Sequence, residues 1–199
     1  MILVKAAAGE GGRALKSRQY QALIFSTAAF TICFAVWTLF SIVGIKIKQE
    51  MNLDDSEFGL LVATPVLTGA LSRLFLGLLS DRFGGRRVFA LLMLLTAAAV
   101  YAVSAVSRFP LFLVAALGLG FSGGAFAIGV SYVSNWFDRA QQGTALGIFG
   151  AGTIGTAVTT FGAPLLVDAL GWRETVQIYA AALAISAAAF YLVTSEDQA

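Results

Sequence analysis

One arginine, Arg73, lies inside an apolar run, in the stretch GALSRLFLGLLSDRFGGRR that spans residues 69–87. Arginine stays protonated in proteins, so its charge persists wherever the side chain lies. Its guanidinium is a planar fork of N–H donors that matches planar oxyanions. Every Asp and Glu of the chain falls in a tail, a loop or the end of an apolar run. Arg73 therefore predicts an anion site, or else an arginine that braces helices through their carbonyl groups.

Other kinds of chemistry have little support in this sequence. There is no histidine, which removes the commonest general base and metal ligand. The single cysteine, Cys33, lies in an apolar run and is expected to pack rather than react. Because carboxylates form no cluster, we expect no catalytic residues, no metal site and no cofactor. The net charge of +2 carries no basic stripe, so we also expect no nucleic-acid partner.

The elements that position Arg73 are apolar and long. The chain of 199 residues is 58% hydrophobic and 12% charged, about half the charge of a soluble domain. A membrane-spanning helix needs about 20 mostly apolar residues. Six runs meet this length and predict an all-α membrane protein of residues 21–195: 21–45, 58–80, 88–107, 109–137, 143–167 and 175–194. Residues 1–20 are expected to form a poorly ordered polar tail, and 196–199 a second tail.

The basic residues predict how the spans are oriented. Eight lie on one side of the six spans: Lys5, Arg13, Lys16, Arg18, Arg82, Arg86, Arg87 and Arg139. Four lie on the other side: Lys46, Lys48, Arg108 and Arg173. Because cytoplasmic loops carry the excess of Lys and Arg, both termini are predicted to be cytoplasmic. The protein is then a multi-pass protein of the cell (inner) membrane.

Two short segments indicate an internal repeat. GLLSDRFGGR (residues 77–86) and PLLVDALGWR (residues 164–173) lie 87 residues apart and coincide at five of ten positions. The first segment ends the second span and the other ends the fifth. The six spans are therefore predicted to be two copies of a three-helix unit. Three is an odd number, so the copies have opposite topology, as in transporters with inverted repeats.

The depth of Arg73 and the small residues around it agree with a buried site. Arg73 precedes Asp81, at the end of the second span, by eight residues, or about 12 Å of helix. That places it near the middle of an apolar core about 30 Å thick. In the fifth span, small residues recur every four positions and predict tight helix packing. They are Gly143, Gly147, Ala151 and Gly155.

Three longer runs resemble the nitrate/nitrite porter family of the major facilitator superfamily. They are FAVWTLFSIVGIKIKQE, GLLVATPVLTGALSRLFLGLLSDRFGGR and QGTALGIFGAGTIGTAVTTFGAPLL. The resemblance implies that Arg73 binds nitrate or nitrite at the midplane and that Phe126 flanks the anion. The glycine-rich nitrate signature maps to residues 143–155, where Gly150, Gly152 and Thr153 are implied to contact the anion. Thr153 stands where the family usually has asparagine.

The same resemblance implies further roles and a partner. Gly77, Asp81, Arg82 and Arg86 belong to the loop signature and are implied to lock the cytoplasmic gate. The family has twelve helices, so the chain is expected to be an N-terminal half that needs a second six-helix half or a second copy of itself. A split transporter, a truncated gene and an expressed fragment all fit, and so do a porter for another small anion and an accessory or inactive membrane module. Nitrate/nitrite exchange is slightly favoured over proton symport because no carboxylate or histidine lies within the spans.

Overall fold

The computed structural model describes residues 2–196, and the side chains of residues 15–196. This part of the chain forms six long helices: α1 (Ile2–Met51), α2 (Asp55–Phe83), α3 (Gly85–Ala105), α4 (Phe109–Trp136), α5 (Arg139–Leu170) and α6 (Trp172–Val193). Helix α4 contains a 3-10 turn at Phe121–Gly124, and α5 contains one at Ala151–Ile154. All six are long and apolar enough to cross a membrane, α1 over Leu15–Met51. The predicted six-span helical architecture is confirmed.

The main difference from the prediction lies at the start of the chain. Helix α1 begins at Ile2, so residues 2–20, which we expected to form a poorly ordered tail, are helical. The other helices overlap the predicted spans and differ from them by a few residues at each end. Helix α2 begins at a capping box: the Asp54 carboxylate accepts from Glu57 N–H, and Asp54 N–H donates to the Glu57 carboxylate. This reciprocal pair fixes where the helix starts.

The turns that follow α2 and α5 share one geometry. Gly84 has φ of +88° and Gly171 has φ of +96°, and they are the two glycines with positive φ in the described part of the chain. Gly84 N–H donates to Ser80 O at 3.0 Å, and Gly171 N–H donates to Val167 O at 2.9 Å. Residues other than glycine rarely adopt such φ values. Because the two turns are 87 residues apart, they match the predicted repeat.

The helix contacts have the symmetry of the repeat. Helix α1 packs on α5 and α6, and α4 packs on α2 and α3. Exchanging α1 with α4, α2 with α5 and α3 with α6 leaves this pattern unchanged. Helix α3 also packs extensively on α6, and this contact joins the two three-helix units. The fold is thus an inverted three-plus-three repeat.

Burial is unequal among the helices. In the most apolar stretch of α3 and of α4, 56% of the residues are buried inside the chain, whereas α2 and α5 each reach 22%. The core between the helices is filled with aromatic and large aliphatic side chains, including Phe30, Phe89, Tyr132 and Phe149. Helices α2 and α5 therefore present wide exposed faces, and α2 carries Arg73.

Candidate functional site

The site begins where α2 crosses α4, and glycines set the distance between the two helices. A Cβ on Gly69 of α2 would lie 3.0 Å from the Gly120 carbonyl oxygen of α4. A Cβ on Gly123 would lie 3.0 Å from the Cα atom of Gly69. Contacts this short leave no room for a side chain, so the backbones meet directly. The glycine-rich run of the fourth span is thus a packing surface for α2.

This close crossing brings a backbone acceptor to Arg73. The Arg73 Nε–H donates to the Gly123 carbonyl oxygen at 3.0 Å. The ion pairs of the described residues all lie near helix ends: Lys48–Asp55, Arg87–Glu196 and Arg173–Glu50. Arg73 therefore has no carboxylate partner in this part of the chain, and its side chain is exposed on the open side of α2. The carbonyl contact is the bracing interaction that the sequence left open, and it engages only one edge of the guanidinium.

An aromatic cluster lies beside the crossing. Phe126, one turn after Gly123, packs its ring 5.6 Å from Phe30 of α1 and 6.0 Å from Phe149 of α5, measured between ring centroids. Phe30 and Phe149 are fully buried, whereas Phe126 is 42% exposed. Phe126 is thus the exposed edge of a cluster that three helices hold in place. The sequence alone did not indicate this cluster, because its members come from distant parts of the chain.

The three residues predicted in α5 have different surroundings. A Cβ on Gly152 would lie 2.6 Å from the Phe30 ring, so Gly152 is a packing position against α1. Gly150 has open space where a Cβ would be. Thr153 is exposed, and its hydroxyl donates to the Gly150 carbonyl oxygen at 3.1 Å. Gly150 and Thr153 are therefore the accessible members of this set.

The small residues of α5 do not form the continuous packing surface that their spacing predicts. A Cβ on Gly155 would lie 2.1 Å from the Thr31 carbonyl oxygen of α1, so this glycine is required for packing. Gly143 and Gly147 have nothing within 4 Å of a Cβ, and Ala151 is exposed. Three of the four positions therefore pack on no other helix of the described chain. The reason is that α1 contacts one face of α5, and of these four residues only Gly155 lies on that face.

The loop signature connects neighbouring helices at one end of the bundle. The Asp81 carboxylate accepts from the Ser131 hydroxyl of α4 at 2.6 Å. Arg86 donates from Nε and Nη2 to the Tyr191 carbonyl oxygen in the last turn of α6, with its guanidinium 4.3 Å from the Tyr191 ring centroid. Arg82 is exposed and lies 5.5 Å from the Phe83 ring centroid, and Gly77 has open space around it. Asp81 and Arg86 therefore make contacts between helices, whereas Arg82 stays on its own helix.

The opposite end of the bundle has a set of contacts that the sequence did not indicate. Glu50, near the end of α1, accepts from Trp172 Nε1 at 2.7 Å and from Arg173 Nη2 at 2.7 Å. Arg173 is the repeat counterpart of Arg86, 87 residues later. The repeat could therefore have predicted this contact, since an arginine that joins helices at one turn predicts an equivalent contact for its counterpart at the other turn.

The chemistry that this arrangement offers is that of a guanidinium donor. The described residues contain no group of three or more Cys, Asp or Glu side chains that could hold a metal ion. What they contain is an exposed guanidinium on the open side of the bundle, with one carbonyl partner and no carboxylate. A partly exposed aromatic ring and a threonine hydroxyl belong to the neighbouring helices.

Comparison with known proteins agrees with this architecture. Residues 25–199 match the Major Facilitator Superfamily. The chain is 39% identical over 175 residues to a probable nitrate/nitrite antiporter of Thermus thermophilus, a match that covers 82% of this chain and 40% of that protein. It is 36% identical over 171 residues to a nitrite extrusion protein of Bacillus subtilis (strain 168), covering 86% of this chain and 43% of that protein.

Solved structures show the same fold. A bacterial homologue of the human lysosomal transporter Spinster, in an inward-facing and unoccupied conformation, superposes with a TM-score of 0.77 at 19% identity. The match covers 90% of this chain and 44% of that chain. The chain spans less than half the length of each of these relatives.

Proposed function

The chain belongs to the major facilitator superfamily, and we propose that it forms the N-terminal six-helix half of a nitrate/nitrite transporter. It is a multi-pass membrane protein, and we place it in the cell membrane with both termini in the cytoplasm. The superfamily consists of transporters, so we assign it no enzymatic reaction. The finer assignments, including the residues that contact the anion, rest on the geometry of α2, α4 and α5.

The observation that carries this proposal is the environment of Arg73. Its Nε–H is engaged by the Gly123 carbonyl oxygen, which fixes one edge of the guanidinium plane. Four N–H groups on the two terminal nitrogens remain for a ligand. Nitrate and nitrite are planar oxyanions, and a guanidinium binds such groups through two parallel hydrogen bonds. With no carboxylate partner among the described residues, Arg73 would gain a counter-ion from the bound anion.

The neighbouring residues have supporting roles in the proposed site. The exposed edge of the Phe126 ring lies one turn from Gly123 and would cover one side of the anion. Thr153 provides a hydroxyl where the family usually has asparagine, and Gly150 leaves space beside it. Gly152 contributes indirectly, because it allows α5 to approach Phe30. A site of this kind needs only modest affinity, since a transported ion must also leave.

The exposed faces of α2 and α5 indicate where the rest of the transporter lies. Facilitator-type transporters place the substrate between two six-helix halves, and alternating access moves one half against the other. The chain presents Arg73 on the open side that a second half would cover. We propose that this second half, or a second copy of the chain, completes the site. Asp81 and Arg86 would then hold the cytoplasmic gate at the turn between α2 and α3.

Reconstitution tests the proposal directly. The chain is inserted into proteoliposomes alone, and also together with a separately expressed second half from a family relative. We expect saturable nitrate uptake only with both halves, inhibited by excess nitrite and not by chloride. Equal uptake by the chain alone would contradict the half-transporter assignment. Inhibition by formate as strong as inhibition by nitrite would instead favour a porter for another small anion.

A further inference from the structure

A groove outside the proposed anion site lies between α2, α3 and α4. Its volume is about 640 Å³. Its walls are apolar and include Leu76, Leu79 and Phe83 of α2 and Leu91 and Leu95 of α3. One charged side chain lines it, Arg87, in the first turn of α3. The groove is therefore apolar along its length and cationic at one end.

The groove is separate from the face that carries Arg73. Gly69 and Ser72 of α2 face α4. Arg73 and Leu79 are six residues apart, which places them about 120° apart around the helix, on opposite sides of this contact stripe. A second half that covers Arg73 would therefore approach α2 from the other side, and the groove faces the lipid.

The length of the groove fits one leaflet of a bilayer. Arg87 and Leu95 lie eight residues apart on α3, or about 12 Å along the helix axis. Half of the apolar core of a bilayer is about 15 Å thick. With Arg87 at the membrane surface, the apolar walls run through most of the acyl-chain region of that leaflet.

The charge at the open end favours an anionic group. The Arg87 side chain is 69% exposed, and its ion pair with Glu196 is long, at 3.5 Å. Arg82, beside Phe83 at the same end, is also exposed. Arginine binds phosphate through its planar fork of donors, and long basic side chains near helix ends reach the lipid head groups. Both cations lie at the end where a head group would lie, and a phosphate at Arg87 would share or displace the Glu196 carboxylate.

We propose that this groove binds a phospholipid, with one acyl chain along the leucines and the phosphate at Arg87. An elongated apolar groove with a cation at its surface end is complementary to a molecule that is apolar with an anionic end. The proposal is independent of the transported anion, because the groove shares no residue with the site around Arg73.

Native mass spectrometry of the purified chain tests this with two lipids that differ in the anionic phosphoglycerol head group. The probes are dioleoylphosphatidylglycerol and dioleoylglycerol, which have the same acyl chains. We expect phosphatidylglycerol to bind up to about fivefold more tightly, since an exposed charge pair contributes about a factor of five or less. Arg87→Gln should abolish this preference. Arg108→Gln, which removes an exposed cation before α4, is the matched control and should leave it unchanged.

Filling the groove tests the acyl-chain site. Leu91→Trp should reduce the binding of both lipids, whereas Leu165→Trp, on the exposed face of α5, should not. If Leu91→Trp fails to fold, as judged by its melting curve, Leu95→Trp takes its place. The proposal is overturned if Arg87→Gln still binds phosphatidylglycerol more tightly than dioleoylglycerol. It is equally overturned if the tryptophan in the groove leaves lipid binding intact. It is also overturned if that tryptophan disrupts a dimer, because the groove would then hold a second copy of the chain.

Discussion

Replacing Arg73 with lysine separates the three roles that its position allows. In the wild-type chain the Nε–H is bound to Gly123 O at 3.0 Å, and the terminal nitrogens remain for the anion. Lysine keeps the positive charge but concentrates it on one nitrogen at the end of a flexible stem. That nitrogen has to serve both the carbonyl and the anion, and it lacks the planar pair of donors.

The expected loss of affinity follows from the hydrogen bond that lysine cannot reproduce. A hydrogen bond to a charged group contributes about 1.5–3 kcal/mol. At 1.4 kcal/mol for each factor of ten, Arg73→Lys should weaken nitrate binding about ten- to hundredfold. A purely electrostatic role would predict a change of less than about threefold, because the charge is retained. A purely bracing role would leave affinity unchanged and lower the melting temperature, by about 2–4 °C for each kcal/mol lost.

The measurement is nitrate affinity, by isothermal titration of the chain assembled with a second half, with uptake and melting temperature recorded on the same samples. Arg139→Lys, at an exposed position in the first turn of α5, is the matched control and should behave as wild type. Near-normal affinity in Arg73→Lys would refute direct recognition of the anion by the guanidinium. A loss of melting temperature without a loss of affinity would identify Arg73 as a brace between α2 and α4.

Two further predictions concern the gate and the packing of α5. Asp81→Asn keeps the shape of the side chain but weakens the bond from Ser131, so uptake should fall severalfold with normal folded yield; unchanged uptake would exclude a gating role for Asp81. Gly155→Ala should destabilise the chain by about 1–3 kcal/mol, because its Cβ would overlap the Thr31 carbonyl oxygen. Gly147→Ala adds the same methyl group in open space and should not lower the melting temperature; equal losses in the two variants would show that helix propensity, rather than packing, decides the effect.

Much of the fold could be predicted from the types of residue at particular positions in the sequence. Each predicted span corresponds to a helix because a run of about 20 apolar residues is long enough to cross a bilayer as a helix. The repeat was visible in the sequence partly because both copies have a glycine at the same position, Gly84 and Gly171. The structure explains this match, since both glycines occupy turns with positive φ, where other residues are strained. The absence of a carboxylate near Arg73 was also predictable, since every acidic residue lies outside the apolar runs.

The contacts of the site were harder to predict, because they depend on which face of each helix meets a neighbour. The partner of Arg73 in the structure is a backbone carbonyl, that of Gly123. In the sequence, Gly123 cannot be distinguished from the other glycines of α4, because only its position in space sets it apart. The same difficulty explains the stripe on α5, where spacing alone could not show that Gly155 touches α1 and Gly147 touches nothing. Arg82 and Arg86 belong to one motif, yet only Arg86 reaches another helix.

The fastenings at the two ends of the bundle have a mechanical consequence. At one end Arg86 ties α3 to the last turn of α6, and at the other Glu50 ties α1 to the first turn of α6. Between them the contact of α3 with α6 runs the length of the helices. Hinge motion inside the bundle would have to break one end or the other, so the six helices should tilt together as a stiff lever. When the turn between α2 and α3 moves in one direction, the Glu50 end on the far side of the membrane should then move in the opposite direction.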